Sequence, residues 1–196
     1  VIVLAFDQAP LHTGFAWGED TAGTKPTWGI RHFASFGENE DRLYLAYRKW
    51  LAGLFDEVNP GFVFWEQMIA RNDNTATFHA QFAVWAAIMS TCADRGIPQL
   101  EIVIAQWRKR ALGNPKRPAW APEDEDDWLK KAAIKACADL DWFIDNHNIA
   151  EAALQWDFGC ACTSTKYMEA TEARVARVEI ARQQKDRAFK EKVVRK

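Results

Sequence analysis

The chain has 196 residues, 48% of them hydrophobic, and a formal net charge of −2, which suits one domain with a sizeable core and excludes a polycationic coat. Residues 167–196 hold nine Lys and Arg against five Asp and Glu, so any nucleic-acid surface is a local patch or this tail. No apolar run approaches a membrane span, and Cys92, Cys137, Cys160 and Cys162 form no Cys-x-x-Cys pair, so the expectation is a soluble, cytoplasmic protein with reduced thiols and no zinc.

Val1 to Phe6 are uninterruptedly apolar and run into Asp7. This reads as a strand buried on both faces, although periodicity alone leaves a buried helix open. Residues 13–17 and 28–36 read as two further strands, and their short connections favour an antiparallel meander. Leu43, Tyr47, Trp50, Leu54 and Val58 then recur at helical spacing until Asn59-Pro60-Gly61 stops the helix. Residues 61–66 form a second apolar run, ending in Glu66. A strand that follows a helix lies most simply parallel to the first strand through a right-handed crossover. Asp7 and Glu66 are then expected at one edge of neighbouring strands.

The stripe Phe78, Phe82, Trp85, Met89 and Cys92 predicts a sandwiched helix over 75–95, closed by Gly96 and Pro98. A strand over 100–105 and a basic loop over 106–118 follow. The acidic run 123–127 suits the first turn of the next helix, which carries Leu129, Ala133, Cys137 and Leu140 on one side. A polar linker over 141–148 leads to a helix through Ile149, Ala153 and Trp156 that ends at Gly159. Residues 167–196 predict a long charged helix with a thin seam of Val175, Val178 and Phe189.

One acid at a strand end is often a turn residue. Here three fall at comparable points: Asp7, Glu66 and, on the late helix, Glu151, preceded by Asp145, Asn146, His147 and Asn148. Mg²⁺ is a hard ion that takes oxygen ligands, and two ions about 3.5–4 Å apart can hold both oxygens of an in-line phosphodiester cleavage. Asp7 is the candidate bridge, with Glu66 and Glu151 flanking it. The element order with acids at these points resembles the ribonuclease H-like fold. That implies an α/β chain whose mixed five-stranded sheet is flanked by helices. A nuclease domain over 1–162 and a charged helical extension over 163–196 are expected.

Within that fold the sequence resembles the RuvC-like Holliday junction resolvases. Asp7-Gln8-Ala9-Pro10 with Thr13-Gly14-Phe15-Ala16 is similar to the family's Asp-Pro-Gly…Thr-Gly-Tyr opening. Glu66-Gln67, then Asn72, Ala76 and Gln81, is similar to its Glu-Gln…Lys-Asn…Ser-Ala…Gln-Ala segment, and Asn148-Ile149-Ala150-Glu151-Ala152 to its closing Asp-x-Ala-Asp-Ala. The resemblance spans about residues 1–160. It implies an Mg²⁺-dependent endodeoxyribonuclease, with two ions and Mn²⁺ as a substitute, acting on four-way or other branched DNA. A small resolvase with an added tail suits a phage or mobile element, acting in the cytoplasm of a bacterial host. The sequence departs from the family at Ala9, in a shorter gap from Glu66 to Asn72, and in Glu151 for Asp. It departs also at Asn148, where the family has an acid or His; Asn148 or the neighbouring His147 is expected to contact the metal, and His147 reads equally as a general base or a surface residue. His12, His32 and His79 are read as structural.

Phosphates need local positive charge and polar donors, which Arg71, Asn72, Arg108, Lys109, Arg110, Lys116, Arg117, Lys130 and Lys131 are expected to supply. Trp107, Trp120 or Phe78 reads either as core or as a platform for unpaired bases. Cutting two equivalent junction strands implies a two-fold homodimer, with helix 75–95 as the shared surface, Phe78 near the junction centre and the tail seam extending it. Rival readings come from other classes. A sugar-kinase-like ATPase needs glycine-rich phosphate loops, and the ten glycines form none. A proofreading-type exonuclease needs an acid where Ala9 stands. A ribonuclease H acting on RNA–DNA hybrid needs an acid on the first helix, for which Glu40, Asp41 or Asp56 could serve. A non-catalytic junction-binding protein needs no intact site.

Overall fold

Side-chain alternation along two parallel strands determines which way the candidate carboxylates point. In the computed structural model, which describes residues 1–33, 39–68, 75–114, 116–121 and 127–194, these are β1 (Ile2–Asp7) and β4 (Phe62–Glu66). Val3, Ala5 and Phe64 lie in one hydrophobic core, while Leu4, Phe6, Val63 and Trp65 lie in the other. Because successive residues face opposite sides of a sheet, Asp7 and Glu66 continue the Val3–Ala5 and Phe64 rows and share a face. The β1–β4 register pairs Phe6 with Trp65, which leaves both acids just past the paired segment at the same edge.

Around this pair, β2 (His12–Glu19) and β3 (Thr27–His32) complete the antiparallel meander and β5 (Gln99–Ile102) adds a parallel edge. The sheet is five-stranded and mixed, in the order β3-β2-β1-β4-β5. On one face lie α1 (Glu40–Val58) and α2 (Thr75–Arg95), burying Tyr47, Leu51, Val84 and Ile88. On the other lie α3 (Ile104–Leu112), α4 (Trp128–Ala138) and α5 (His147–Thr163). The side chain of Asn39 caps α1 through the amide of Arg42, and Asn59 ends it in the left-handed region at φ 48°.

Helix α5 crosses the sheet at close range because two glycines remove the obstacle. A Cβ on Gly14 of β2 would stand 2.1 Å from the carbonyl oxygen of Asn148, and one on Gly159 would stand 2.6 Å from the ring of Phe64. This is why Gly159 does not end the helix as the sequence suggests: it serves close packing, and α5 continues to Thr163. Three further expectations change. Part of the expected basic loop is α3, in which Trp107 points inward and Gly113 closes the helix at φ 73°. The fifth strand stops at Ile102 rather than at 105. Asp127 is the N-cap of α4 rather than part of its first turn, and the rest of the acidic run, with residues 34–36 of the expected third strand, lies outside the described residues.

The tail helix α6 (Thr165–Val194) starts two residues earlier than expected and is tied to the sheet-covering helices. Asp157 of α5, 1% exposed, accepts hydrogen bonds from Arg110 Nε of α3 (2.8 Å), and from Arg174 Nη2 (2.6 Å) and the Tyr167 hydroxyl (2.7 Å) of α6. Further along, Arg182 lies between the rings of Trp120 and Trp128, 5.3 Å from each, and donates to the carbonyl of Lys116. All four cysteines are free, and burial pushes the thiols of Cys92 and Cys137 up to about 12. Among the described residues no helix is long and apolar enough to cross a membrane.

Candidate active site

Asp7 at the end of β1, Glu66 at the end of β4 and Glu151 in the second turn of α5 meet at one edge of the sheet. One carboxylate oxygen from each lies within 4.8 Å of those of the other two. Glu151 is 9% exposed, while Asp7 and Glu66 keep partial access to solvent. The position of Glu151 is fixed from the helix start, where the side chain of Asn146 accepts hydrogen bonds from the amides of Asn148 and Ile149.

Gln8 and Trp107, neither of them expected among the acids' partners, hold Glu66. The side-chain amide of Gln8 donates to the carbonyl oxygen of Glu66 and accepts from its amide at 3.1 Å. One side chain thereby continues the β1–β4 ladder where the main chain leaves it. Trp107, 1% exposed, donates its indole N–H to Glu66 Oε2 at 3.0 Å, so it is a carboxylate partner and not a platform for bases. The β1–β2 turn is held from beneath: the Thr13 hydroxyl donates to the carbonyl of Ala9 at 2.9 Å and accepts from Tyr47. A glutamine beside the acid and a tryptophan at the start of a basic run were visible in the sequence. Nothing in their spacing announced the pairing with Glu66.

Three carboxyls crowded together and largely withdrawn from solvent resist ionisation. Burial raises all three pKa values; for Asp7 the charges of Glu151 and Glu66 add to it, and for Glu151, pushed up to about 7, that of Glu66 does. Arg108 opposes the rise at each of the three, and Trp107 does so at Glu66. Hard oxygen donors that close together, short of positive charge and partly open to solvent, fit divalent ions such as Mg²⁺. The linkage has a definite sign. Folded-state values above the unfolded ones mean that the folded chain loses stability from this cluster as pH rises from the ordinary carboxylate range through about 7. Mg²⁺ is therefore expected to raise the melting temperature by several degrees at pH 8 and much less at pH 5.5, as followed by circular dichroism. Equal shifts at the two pH values would count against the cluster as a metal site.

The first turn of α5 contributes less than the sequence suggests. His147 does not join the three carboxylates. Its pKa is lowered by burial and by Lys130, with Asp127 opposing, so its charged neighbours are those of α4. Asn148 turns its side chain to the carbonyl of His12, 3.5 Å away. His147→Ala and Asn148→Ala are each expected to leave the Mg²⁺-dependent rise in melting temperature at pH 8 within about 1 °C of the parent's, because neither side chain joins the carboxylates. Loss of that rise in either variant would place its side chain at the candidate metal site. On α1, Glu40 pairs with His79 (3.2 Å) and Asp56 with Arg95 (2.8 Å), and among the described residues no acid of α1 joins the group.

Of the expected DNA contacts, Lys109, Lys116, Arg117, Lys130 and Lys131 are exposed, and Arg108 is half-buried at the acids. Lys130 lies near enough to lower the pKa of Glu151. Arg110 corrects the reading: its guanidinium is spent inward on Asp157 and on Thr171 (2.6 Å). Arg71 and Asn72 lie outside the described residues. Trp120 gives its N–H to Asp186 and its ring to Arg182 and Lys185, and Phe78 is half-buried beside His79. The surprise among the histidines is that exposed His12 and His32 pair across β2 and β3, Nδ1 to Nδ1 at 2.8 Å.

Fold and site together define an α/β chain, a mixed five-stranded sheet flanked by helices, with three acids gathered where β1, β4 and α5 converge. No family model matches the sequence, and no curated protein matches it in sequence. In structure it is similar to Thermus thermophilus RuvC in complex with a Holliday junction substrate, with a TM-score of 0.59 at 11% identity over 80% of this chain and 90% of that one. A second structure of Thermus thermophilus RuvC gives 0.55 at 13% identity, over 80% and 91% of the two chains. The yeast mitochondrial Holliday junction resolvase Ydc2 gives 0.50 at 10% identity, over 93% and 85%. At such identities the likeness is one of fold.

Proposed function

We propose that this chain is a structure-selective DNA endonuclease that cleaves phosphodiester bonds at four-way or other branched junctions, working in the cytoplasm. The observation that carries this is the meeting of Asp7, Glu66 and Glu151 at one sheet edge, with Arg108 among them and exposed lysines on the flanking elements. Asp7, Glu66 and Glu151 would hold two Mg²⁺ ions, or Mn²⁺ in their place, which when bound supply Lewis-acid stabilisation of the attacked phosphate and a nucleophile at neutral pH. The chain's own part is to keep the three carboxylates converged. Gln8 and Trp107 fix Glu66, the α5 cap fixes Glu151, and β1 fixes Asp7 between them. Arg108, Lys109, Lys116, Arg117, Lys130 and Lys131 take the DNA backbone, and Arg71 and Asn72 are assigned with them on sequence grounds.

A junction has two strands to cut, and one acidic cluster cuts one. We therefore assign the working form as a two-fold homodimer, sharing the α2 face on which Phe82, 48% exposed, stacks on Trp85. The test is incubation with Mg²⁺ and end-labelled four-way junction, fork, linear duplex and RNA–DNA hybrid, with sedimentation of the free and junction-bound protein. Paired nicks at related positions in the junction, made by a dimer, are expected. Preferred cleavage of the hybrid would favour a ribonuclease H, and tight junction binding with no cleavage a binding protein.

A further inference from the structure

Arg108 differs from the other cations assigned to DNA in facing the acids. Its Nη2 is 3.7 Å from Glu151 Oε2, an ion pair longer than a direct hydrogen bond, and its side chain is 18% exposed. The guanidinium lies over the ring of Trp107, 5.2 Å from the centroid, and that same ring donates to Glu66. Its Nε is buried and without a hydrogen-bond partner. An arginine on a solvated protein surface would satisfy its donors with water; this one has given up part of its hydration to lie beside three carboxylates. Lys130, the other cation near Glu151, is held by Asp127 at 2.7 Å and remains exposed.

We propose that Arg108 is a resident counter-ion for the metal-free site: it stands in for the divalent cations among Asp7, Glu66 and Glu151, and is turned to the DNA phosphate when they bind. This rests on the nuclease reading for its second half only. In the metal-free chain the three acids need positive charge; Arg108 lies against Glu151, and its charge opposes the rise in pKa at all three. Divalent ions on the same carboxylates satisfy that need and repel the guanidinium, as like charges within several ångströms in a half-buried site oppose each other by kilocalories. Its donors, loosely used against Glu151, are then free for a phosphate, which a guanidinium binds in a forked geometry. The device keeps the acids converged before metal arrives and couples metal loading to substrate binding.

The consequence is a pair of effects of opposite sign. Removing the charge should strengthen metal binding to the free protein while weakening cleavage, whereas removal of an ordinary supporting residue weakens both. The experiment is calorimetric titration of Mg²⁺ into the full-length, DNA-free chain at pH 8.5, above the range in which Glu151 takes up a proton. Arg108→Leu is expected to bind Mg²⁺ at least about fivefold more tightly than the parent, and Arg108→Lys to stay within about threefold of it. Should the leucine variant fail to fold by circular dichroism, Arg108→Gln carries the same comparison. Unchanged or weaker Mg²⁺ binding by a folded, charge-free variant overturns the proposal. Because this titration contains no DNA, it is decided whether or not the chain cleaves junctions. Cleavage of the four-way junction is then expected to fall at least tenfold in Arg108→Leu, and a variant that binds metal more tightly and cleaves as well as the parent would remove the phosphate role.

Discussion

Asp7→Asn is expected to abolish junction cleavage while leaving four-way-junction affinity within a few-fold of the parent. The amide keeps the size of the carboxylate and the end of β1 in place, so the fold is not at issue. What changes is charge at the acid carried by the central strand, one of the three that meet at the sheet edge. Asp7 is one of the three carboxylates that would hold the ions, which when bound would supply a nucleophile at neutral pH, so its loss would weaken metal binding and nucleophile generation together. The lysines and arginines proposed to meet the backbone stand on α3, α4 and the segment between them, not on the substituted strand, and should keep their phosphate contacts. Gel-shift and cleavage assays on one labelled junction separate the two effects. Near-parental cleavage would dismiss the three-acid site, and a parallel loss of binding would mean that Asp7 acts through the fold instead.

How much of this was legible in the sequence follows from what each feature depends on. Asp7 and Glu66 were legible because strand alternation and a right-handed crossover are general rules, and both act within short spans of chain. Glu151 was legible through its motif. The helix α3 was not, because its lysines and arginines read as a loop and its one fully buried residue, Trp107, gives no period by itself. Gly159 read as a stop signal, whereas its missing side chain admits Phe64 across the interface, a tertiary fact. Arg110, expected at the DNA, is turned inward for a similar reason. Arg108, Lys109 and Arg110 are equivalent in a loop, but on a helix they point in three directions: to the acids, to solvent and to Asp157. The helical turn separates these roles, and charge counting cannot see it.

The same turn makes Asp157 the residue whose loss should cost the most stability. Its carboxylate is 1% exposed and is bound by two guanidinium groups and a phenol, from α3 and from two turns of α6. Asp157→Ala would leave Arg110 and Arg174 facing each other in the interior with no anion between them. Breaking a buried ion pair from one side costs about 3–5 kcal/mol, because the remaining charge stays desolvated. For a chain of this size that corresponds to a fall in melting temperature of roughly 10 °C. The effect should spread to the site, because Arg110 lies two residues beyond Arg108 and three beyond Trp107 on α3. Loosening that helix from α5 and α6 withdraws the indole N–H from Glu66 and the guanidinium from Glu151. The variant is therefore expected to melt early and, below its melting range, to cleave more slowly at saturating DNA. Thermal melts followed by single-turnover assays at 20 °C check both parts. A melting temperature within 2 °C of the parent would show that the arginines find other partners, and that α6 is an appendage rather than a part of the body that holds the acids.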